Sequence, residues 1–424
     1  MPEVWKHSYT VPLPKTTPAR SIESDLRPIS ITSVAAKVIE YFPVNFMYKS
    51  VEKSLDQNQF GGVQGSSTVM ALIKILDYIA KHTDDASNVV RMLLCDFSKA
   101  FDLVDHTILI QKLNDLGVHE SLARWTANFL HNRSQNVKVG CDKSNILNMN
   151  AGCPQGTLLG PLAFISYIND LRPPESFLSI KYIDDTTILH SMGKQSSENE
   201  SFQQVIDYLN SWAQNNKMRF NVAKTKEIVF NFSREKNMPP KLILGDNEIE
   251  QVSEAKILGI IVRSDLKWNS HVSAIIKKAN KRLYLLRLCK RTGVKTKDLI
   301  TIYTSLTRSV LEYCSVVWHT SLPQYLHQEI ERVQKRALAT IYPGKNYEEA
   351  LGATKLNTLF DRRETQCKKL FYSMLQNGHK LNDIIPSARE IPHDLRHQVQ
   401  YNLGQPKTKR LSDSFVQYCF RKFM

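Results

Sequence analysis

No apolar run in this sequence approaches the roughly 18 residues that a membrane span requires, and the opening MPEVWKHSYTVPLPK has no signal-peptide hydrophobic segment. A soluble intracellular protein is therefore expected, in the nucleus, the cytoplasm or both, neither secreted nor partnered by a membrane. Cysteine is sparse and patternless. The seven residues Cys95, Cys141, Cys153, Cys289, Cys314, Cys367 and Cys419 are odd in number and never form C-x-x-C, which argues against a disulfide framework and against a zinc ribbon or knuckle. A reducing compartment suits them. No internal repeat is present, and one stretch, MGKQSSENESFQQ at 192–204, reads as a loose polar segment. Acidic residues are also short: 41 Asp and Glu against 56 Lys and Arg leave a net charge of +15. That surplus favours a polyanionic partner, nucleic acid ahead of an anionic membrane surface.

What is present has an ordinary globular balance, 42% hydrophobic and 23% charged over 424 residues, and the length exceeds what one core usually serves. Two or three domains or subdomains are expected. Residues 1–30 are rich in proline and expected to be extended. From Ser33 to Lys53 the pattern is helical with an interruption at Pro43. Val69, Leu72, Ile73, Leu76 and Ile79 recur at helical spacing behind a Ser/Thr cap. NVVRMLLCDF reads as a short buried strand ending on an acid, and helical text runs from His106 to Leu130. MRFNVAKTKEIVFNF and KLILGDNEIE carry strand-like segments, the second with a turn at Gly245-Asp246. Beyond Asn269, Val272, Ile275, Ile276, Ala279, Leu283 and Leu286 trace one helix face, and Lys277, Lys278, Lys281, Arg282, Arg287, Lys290 and Arg291 crowd the rest. The chain thus changes from mixed α/β to basic and mostly helical near residue 262.

Three carboxylates stand out. Asp96 ends its buried strand, where a negative charge is costly unless a cation sits on it. Asp184 and Asp185 lie between two alternating arms, Ile180/Tyr182 and Thr187/Leu189, and so at the tip of a tight hairpin. Adjacent carboxylates remain ionised together only when cations absorb the charge. Oxygen ligands of this kind suit Mg²⁺, and two such ions clamp the attacking and leaving oxygens of phosphoryl transfer. Taken singly, a D-D pair is a solvated turn and Asp96 a helix cap for SKAFD.

Between the acids lies AGCPQGTLLGPLAFISYINDL, a Gly/Pro-bounded loop leading into an apolar helix. With it, the order of motifs resembles the reverse transcriptase of non-LTR (LINE-type) retrotransposons over nearly the whole chain. RPISITSVAAKVIE and NQFGGVQGSST resemble two fingers segments, LLCDFSKAFDLVDH the first palm acid, and GCPQGTLLGPLAFISYINDL the nucleotide pocket. KYIDDTTIL resembles the paired-acid motif, MRFNVAKTKEIVF the lysine motif that follows, and KILGIIVRSDLKWNSHV the primer grip leading into the thumb. VLEYCSVVWHTSLPQYLHQEIERVQKRAL resembles the region after the thumb.

The resemblance implies an α/β (α+β) right-hand polymerase fold. Residues 1–262 would form fingers and palm, the palm an antiparallel sheet with helices. Residues 263–345 would form a basic helical thumb, and 346–424 a C-terminal helical or irregular extension. The implied activity is RNA-directed DNA polymerisation on an RNA template and a DNA primer or target, with dNTPs, two Mg²⁺ ions and Mn²⁺ as a substitute. Asp96, Asp184 and Asp185 would be catalytic metal ligands, joined by the backbone carbonyl of Phe97. Phe101 matches the aromatic that would clash with a ribose 2′-OH; the plain alternative is a core aromatic. Gln155 and Gly156 match the nucleotide pocket, Arg27 a fingers base near the triphosphate, and Leu258 and Gly259 the primer grip. Lys224 matches the residue that protonates or neutralises departing pyrophosphate; the alternative is a solvated surface lysine. The basic helix after residue 269 would track duplex backbone.

Two positions depart from the family. Ile183 stands where it most often has Ala, which bears on rate and fidelity, and Val63 where it usually has Arg. Such elements carry an upstream endonuclease, and nothing in this sequence resembles one. No RNase H carboxylate pattern or Cys/His knuckle is seen, so a partial or truncated element product is expected. Two alternatives stay open: a catalytically idle nucleic-acid-binding remnant, and a group II intron maturase-like protein. An RNA-dependent RNA polymerase is disfavoured by Phe101.

Overall fold

The computed structural model describes residues 1–193, 198–234, 238–387 and 401–424. At its centre lies a five-stranded sheet in the order Glu250–Gln251, Lys226–Asn231, Val89–Cys95, Asp185–Met192, Leu178–Tyr182. Its pairs are antiparallel except at the short Glu250–Gln251 edge. The apolar run of Val89–Cys95 follows from burial on both faces. Val90 and Met92 pack into one core with Leu189, Ile228 and Phe230, while Leu93 and Cys95 pack into a second with Ile188. Side chains alternate across a strand, so a sheet covered on both sides needs apolar residues at odd and even positions alike.

The second core is closed by the helices Val34–Val51, His106–Asp115, Glu120–Leu130, Leu159–Tyr167 and Glu198–Asn215. The first takes the Thr68–His82 helix, capped by the Ser67 side chain on the Met70 amide, and runs on through the C-terminal half. A separate sheet carries the N-terminal segment. His7–Pro14 pairs antiparallel with Leu26–Thr32 and parallel with Arg133–Val139, so these parts of the proline-rich opening are extended as expected, whereas Glu3–Trp5 and Ile22–Asp25 within it form short helical turns.

Three local expectations are corrected. The Val34–Val51 helix runs unbroken through Pro43. An interior proline costs about 3 kcal/mol, but Met47, Tyr48 and Val51 are buried just beyond it. Each such side chain stabilises by roughly 1.5–3 kcal/mol, so burial outweighs the lost hydrogen bond. The stretch from His106 to Leu130 is two helices, parted at Gly117, whose φ of +84° ends the first. Of the polar segment 192–204, residues 194–197 lie outside the described residues, and the part from Glu198 belongs to a helix. The turn at Gly245-Asp246 is found between the paired strands Ile243–Leu244 and Asn247–Glu248.

Beyond residue 262 the structure is helical. Asn269–Arg291 buries Val272, Ile275, Ala279, Leu283 and Leu286 against Gln324–Ile341, and leaves Lys277, Lys278, Lys281, Arg287 and Arg291 exposed. Leu286 is fully buried; Leu286→Ala is expected to cost about 2–5 kcal/mol, read from the midpoint of denaturant unfolding. The C-terminal segment folds back on the Thr68–His82 helix. Lys74 pairs with Asp383 at 2.5 Å, and the Thr408 amide donates to the Asp84 carboxylate at 2.8 Å. No helix among the described residues is long and apolar enough to cross a membrane.

Candidate active site

Asp96 stands one residue beyond the central strand. The last pair in the ladder joins Cys95 to Thr186, so the register continued by one residue sets Asp96 against Asp185. Two hydrogen bonds hold the backbone here. The Asn221 amide donates to the Asp96 carbonyl at 2.7 Å, and the Ser98 amide donates to the Arg219 carbonyl at 2.8 Å. These bonds flank an antiparallel bridge between Phe97 and Phe220, whose geometry turns the Phe97 carbonyl away from that partner. The same stitching delivers Lys224, with Nζ 3.5 Å from Asp96 Oδ2. That oxygen is buried and has no hydrogen-bond partner, although the carboxyl's side chain is 35% exposed.

Asp184 and Asp185 lie on the hairpin. Tyr182 pairs with Asp185, leaving Ile183 and Asp184 as a two-residue turn. Ile183 adopts a φ of +58°, a left-handed conformation that costs a side chain about 1–2 kcal/mol and is rarest for β-branched residues. The segment 58–61 grips this turn from behind. Gln59, 1% exposed, accepts through Oε1 from the Ile183 amide at 3.3 Å and the Gly61 amide at 3.1 Å. The Phe60 amide donates to the Lys181 carbonyl at 2.8 Å, and the Lys181 amide to the Asn58 carbonyl at 2.9 Å. Gly61 touches the turn so closely that a Cβ would lie 2.5 Å from the Ile183 nitrogen.

Burial first, then Asp184 and Asp96, pushes the Asp185 carboxyl up to about 6. Burial also raises Asp184, and Asp96 adds to it; the Asp184 amide, Arg27 and Lys224 oppose the rise. Two sequence-inferred cations therefore act on the same carboxylate as the acids. Arg27 reaches this position from the exposed side of Leu26–Thr32. Among the described residues, no group of three His, Cys, Asp or Glu side chains is gathered tightly enough to hold a metal ion. The chemistry of Asp96, Asp184 and Asp185 nonetheless fits a hard divalent cation: oxygen donors only, two carboxyls raised by burial and by an acidic neighbour, and one buried oxygen that accepts no hydrogen bond.

The remaining residues line other walls. The Gln155 carbonyl accepts from the Ser30 amide at 3.0 Å, and Gly156, with φ +107°, approaches so near that a Cβ would lie 2.7 Å from the Ser30 oxygen. Phe101 stacks on Phe164 with centroids 4.8 Å apart, and its carbonyl accepts from the Cys153 amide at 2.8 Å. It is thus half-buried beside the Gln155 loop and partly a packing residue. Leu258 and Gly259 form the turn of the Glu254–Ile257/Ile260–Arg263 hairpin, with φ of +44° and +92°. Lys256, Ile257 and Leu258 share a cavity of about 60 Å³ with Tyr182 and Asp185. Val63 is half-buried against the second core.

Sequence reasoning missed Gln59, Gly61 and Glu40. Glu40, fully buried, accepts from the Leu158 amide at 2.8 Å and the Leu159 amide at 3.4 Å. It thereby caps the helix that follows the Gln155 loop, and burial raises its pKa despite those bonds. The paired glycines of NQFGG were the one local signal for the turn grip.

A family described as "Reverse transcriptase (RNA-dependent DNA polymerase)" matches residues 13–262. A probable RNA-directed DNA polymerase from transposon BS of Drosophila melanogaster is 25% identical over 358 residues, 80% of this chain and 38% of that protein. The RNA-directed DNA polymerase from mobile element jockey of the same organism is 24% identical over 352 residues, again 80% and 38%. The chain thus spans about 38% of the length of these relatives. Among solved structures, apo telomerase from Candida tropicalis aligns over 90% of this chain and 63% of its own, at 11% identity and TM-score 0.47. With the family match covering more than half of its residues, the chain belongs to the reverse transcriptase (RNA-dependent DNA polymerase) family.

Proposed function

We propose that this chain is the RNA-directed DNA polymerase portion of a non-LTR retrotransposon protein, extending a primer 3′ end with dNTPs along an RNA template. One observation carries the reading: Asp96, Asp184 and Asp185 converge at one end of an antiparallel sheet, where burial and then their acidic neighbours raise Asp184 and Asp185, with Arg27 and Lys224 acting on Asp184. In the reaction the primer 3′ oxygen bonds to the α-phosphorus of the dNTP, and the bond to the bridging oxygen breaks to release pyrophosphate. Asp96 and Asp184, with Asp185 and the Phe97 carbonyl, would hold Mg²⁺, or Mn²⁺ in its place. Bound there, the ions supply charge neutralisation for the attacking and leaving oxygens.

The chain's own groups do the rest. Arg27 presents a guanidinium fork to triphosphate oxygens, and Lys224 neutralises or protonates the departing pyrophosphate. Gln155 and Gly156 line the nucleotide, Phe101 faces the sugar, and the Leu258–Gly259 turn seats the primer end. In this division, residues 1–262 are fingers and palm and 263–345 the thumb, whose exposed lysines and arginines track duplex backbone. Residues 346–424 are an extension. An element that copies into chromosomal DNA acts inside the cell with access to the nucleus.

A catalytically idle, nucleic-acid-binding remnant is the second reading, favoured by the β-branched Ile183 in a left-handed turn position. Primer extension on an RNA template with dNTPs and Mg²⁺ separates the two: addition that EDTA stops supports the polymerase, and duplex binding without addition supports the remnant. The sugar assignment has its own test. Phe101→Val is expected to raise rNTP incorporation relative to dNTP by about tenfold or more in single-nucleotide extension, and an unchanged ratio leaves Phe101 as a packing residue.

A further inference from the structure

The Leu258–Gly259 turn is strained and externally braced. Leu258, at φ +44°, is in a region that side chains other than glycine's rarely adopt, and such conformations persist where surrounding contacts over-determine them. The brace is Tyr313. Its Oη donates to the Leu258 carbonyl at 2.9 Å. Its ring occupies the space beside Gly259 so completely that a Cβ there would lie 2.7 Å from Cε1. Glycine is thus needed at 259 for the ring's approach as well as for its φ of +92°.

Tyr313 is itself fixed from several sides. It lies between the helices Ser309–Leu311 and Ser315–Trp318, where Cys314 turns the chain with a φ of +49°. Its carbonyl accepts from Trp318 Nε1 at 3.2 Å. The preceding Glu312 carboxylate is held by Arg362 at 2.5 and 3.0 Å. Cys314 Sγ lies 3.7 Å from Thr68 Oγ1, at the start of the helix that packs against Leu178–Tyr182. So braced, Tyr313 remains 42% exposed as a residue and fronts a cavity of about 450 Å³ lined also by Lys256, Lys278 and Arg282. Cationic side chains beside an aromatic ring suit a nucleic-acid strand.

We propose that Tyr313 is a positioning residue for nucleotide addition: it fixes the Leu258–Gly259 turn, and through it the primer 3′ end, against the Ile183–Asp184 hairpin turn. This rests on the polymerase reading of the site. It gives the segment VLEYCSVVW a role in the reaction, although it lies outside the family match at 13–262.

The test uses the full chain on an RNA template with a DNA primer carrying 2-aminopurine as its 3′ nucleotide. Tyr313→Phe keeps the ring against Gly259 and loses the hydroxyl's hydrogen bonds, to the Leu258 carbonyl and to the Thr68 and Cys314 side chains. It is expected to raise the KM for dNTP about three- to tenfold, to leave the KM for primer–template within about twofold, and to change the fluorescence of the bound primer end. Neither KM nor signal per bound complex depends on the fraction of protein folded. Tyr313→Ala is expected to shift both further, with the thermal midpoint recorded alongside. Tyr313→Phe matching wild type in KM for dNTP and in fluorescence overturns the proposal, even if Tyr313→Ala is inactive through misfolding. If wild type adds no nucleotide, the polymerase reading fails by itself. The fluorescence arm then still decides whether Tyr313 sets the primer end.

Discussion

Asp184→Asn is expected to lower dNTP addition by on the order of 10⁴-fold and, in EDTA at neutral pH, to make the folded chain more stable. The two effects share one cause. Burial and the neighbouring acid raise Asp184, and burial with both neighbours raises Asp185 to about 6. An acid with a raised folded-state pKa gives its full stabilisation below the unfolded value near 4 and loses it as pH rises through the folded value. Wild type should therefore lose thermal stability between about pH 4 and pH 7 relative to Asp184→Asn and Asp185→Asn, whose amides do not titrate. More than a third of Asp185 is open to water, which screens the repulsion, so the effect is smaller than the shift alone implies. Melting curves of the three proteins across this range check it. A wild type that gains stability over the asparagine variants as pH rises contradicts the account. Adding Mg²⁺ is expected to raise the midpoint of wild type more than that of either variant, because ligand binding to the folded state stabilises it.

The largest stability effect is expected deeper in the sheet. Arg91 and Glu227 pair across the Val89–Cys95 and Lys226–Asn231 strands, both side chains fully buried. Arg91 also donates to the Pro240 carbonyl at 2.9 Å, and the Gln251 amide donates to Glu227 at 3.1 Å. Removing one partner strands the other charge away from water. Arg91→Met or Glu227→Leu alone is therefore expected to cost about 3–5 kcal/mol, a large part of a typical domain's total. The double variant should cost less than either single one, because it leaves no unpaired charge. Denaturant midpoints of the three variants decide this, and additive single costs would show that the pair is not coupled.

The same pair marks a limit of the sequence. NVVRMLLCDF reads as an apolar strand, and Arg91 within it carries no local sign of Glu227 on a neighbouring strand. Features set by local periodicity or turn chemistry were legible: the buried face of Asn269–Arg291, the hairpin around Asp184, and the turn at Gly245-Asp246. Features set by distant contacts were not. Gln59 reaches Ile183 across the fold, and Pro43 is tolerated only because the residues beyond it are buried. Of the candidate site, motif order identified Asp96, Asp184, Arg27 and Lys224 as neighbours, and the mutual electrostatics agree. Tyr313 lay in a segment whose place in the motif order named no chemistry.

The most direct measurement is extension of a DNA primer on an RNA template with dNTPs and Mg²⁺, comparing wild type with Asp184→Ala/Asp185→Ala, alongside duplex binding by both. The account predicts extension by wild type, none by the variant, and similar binding. Equal extension by the two proteins, or binding by both with extension by neither, would contradict it.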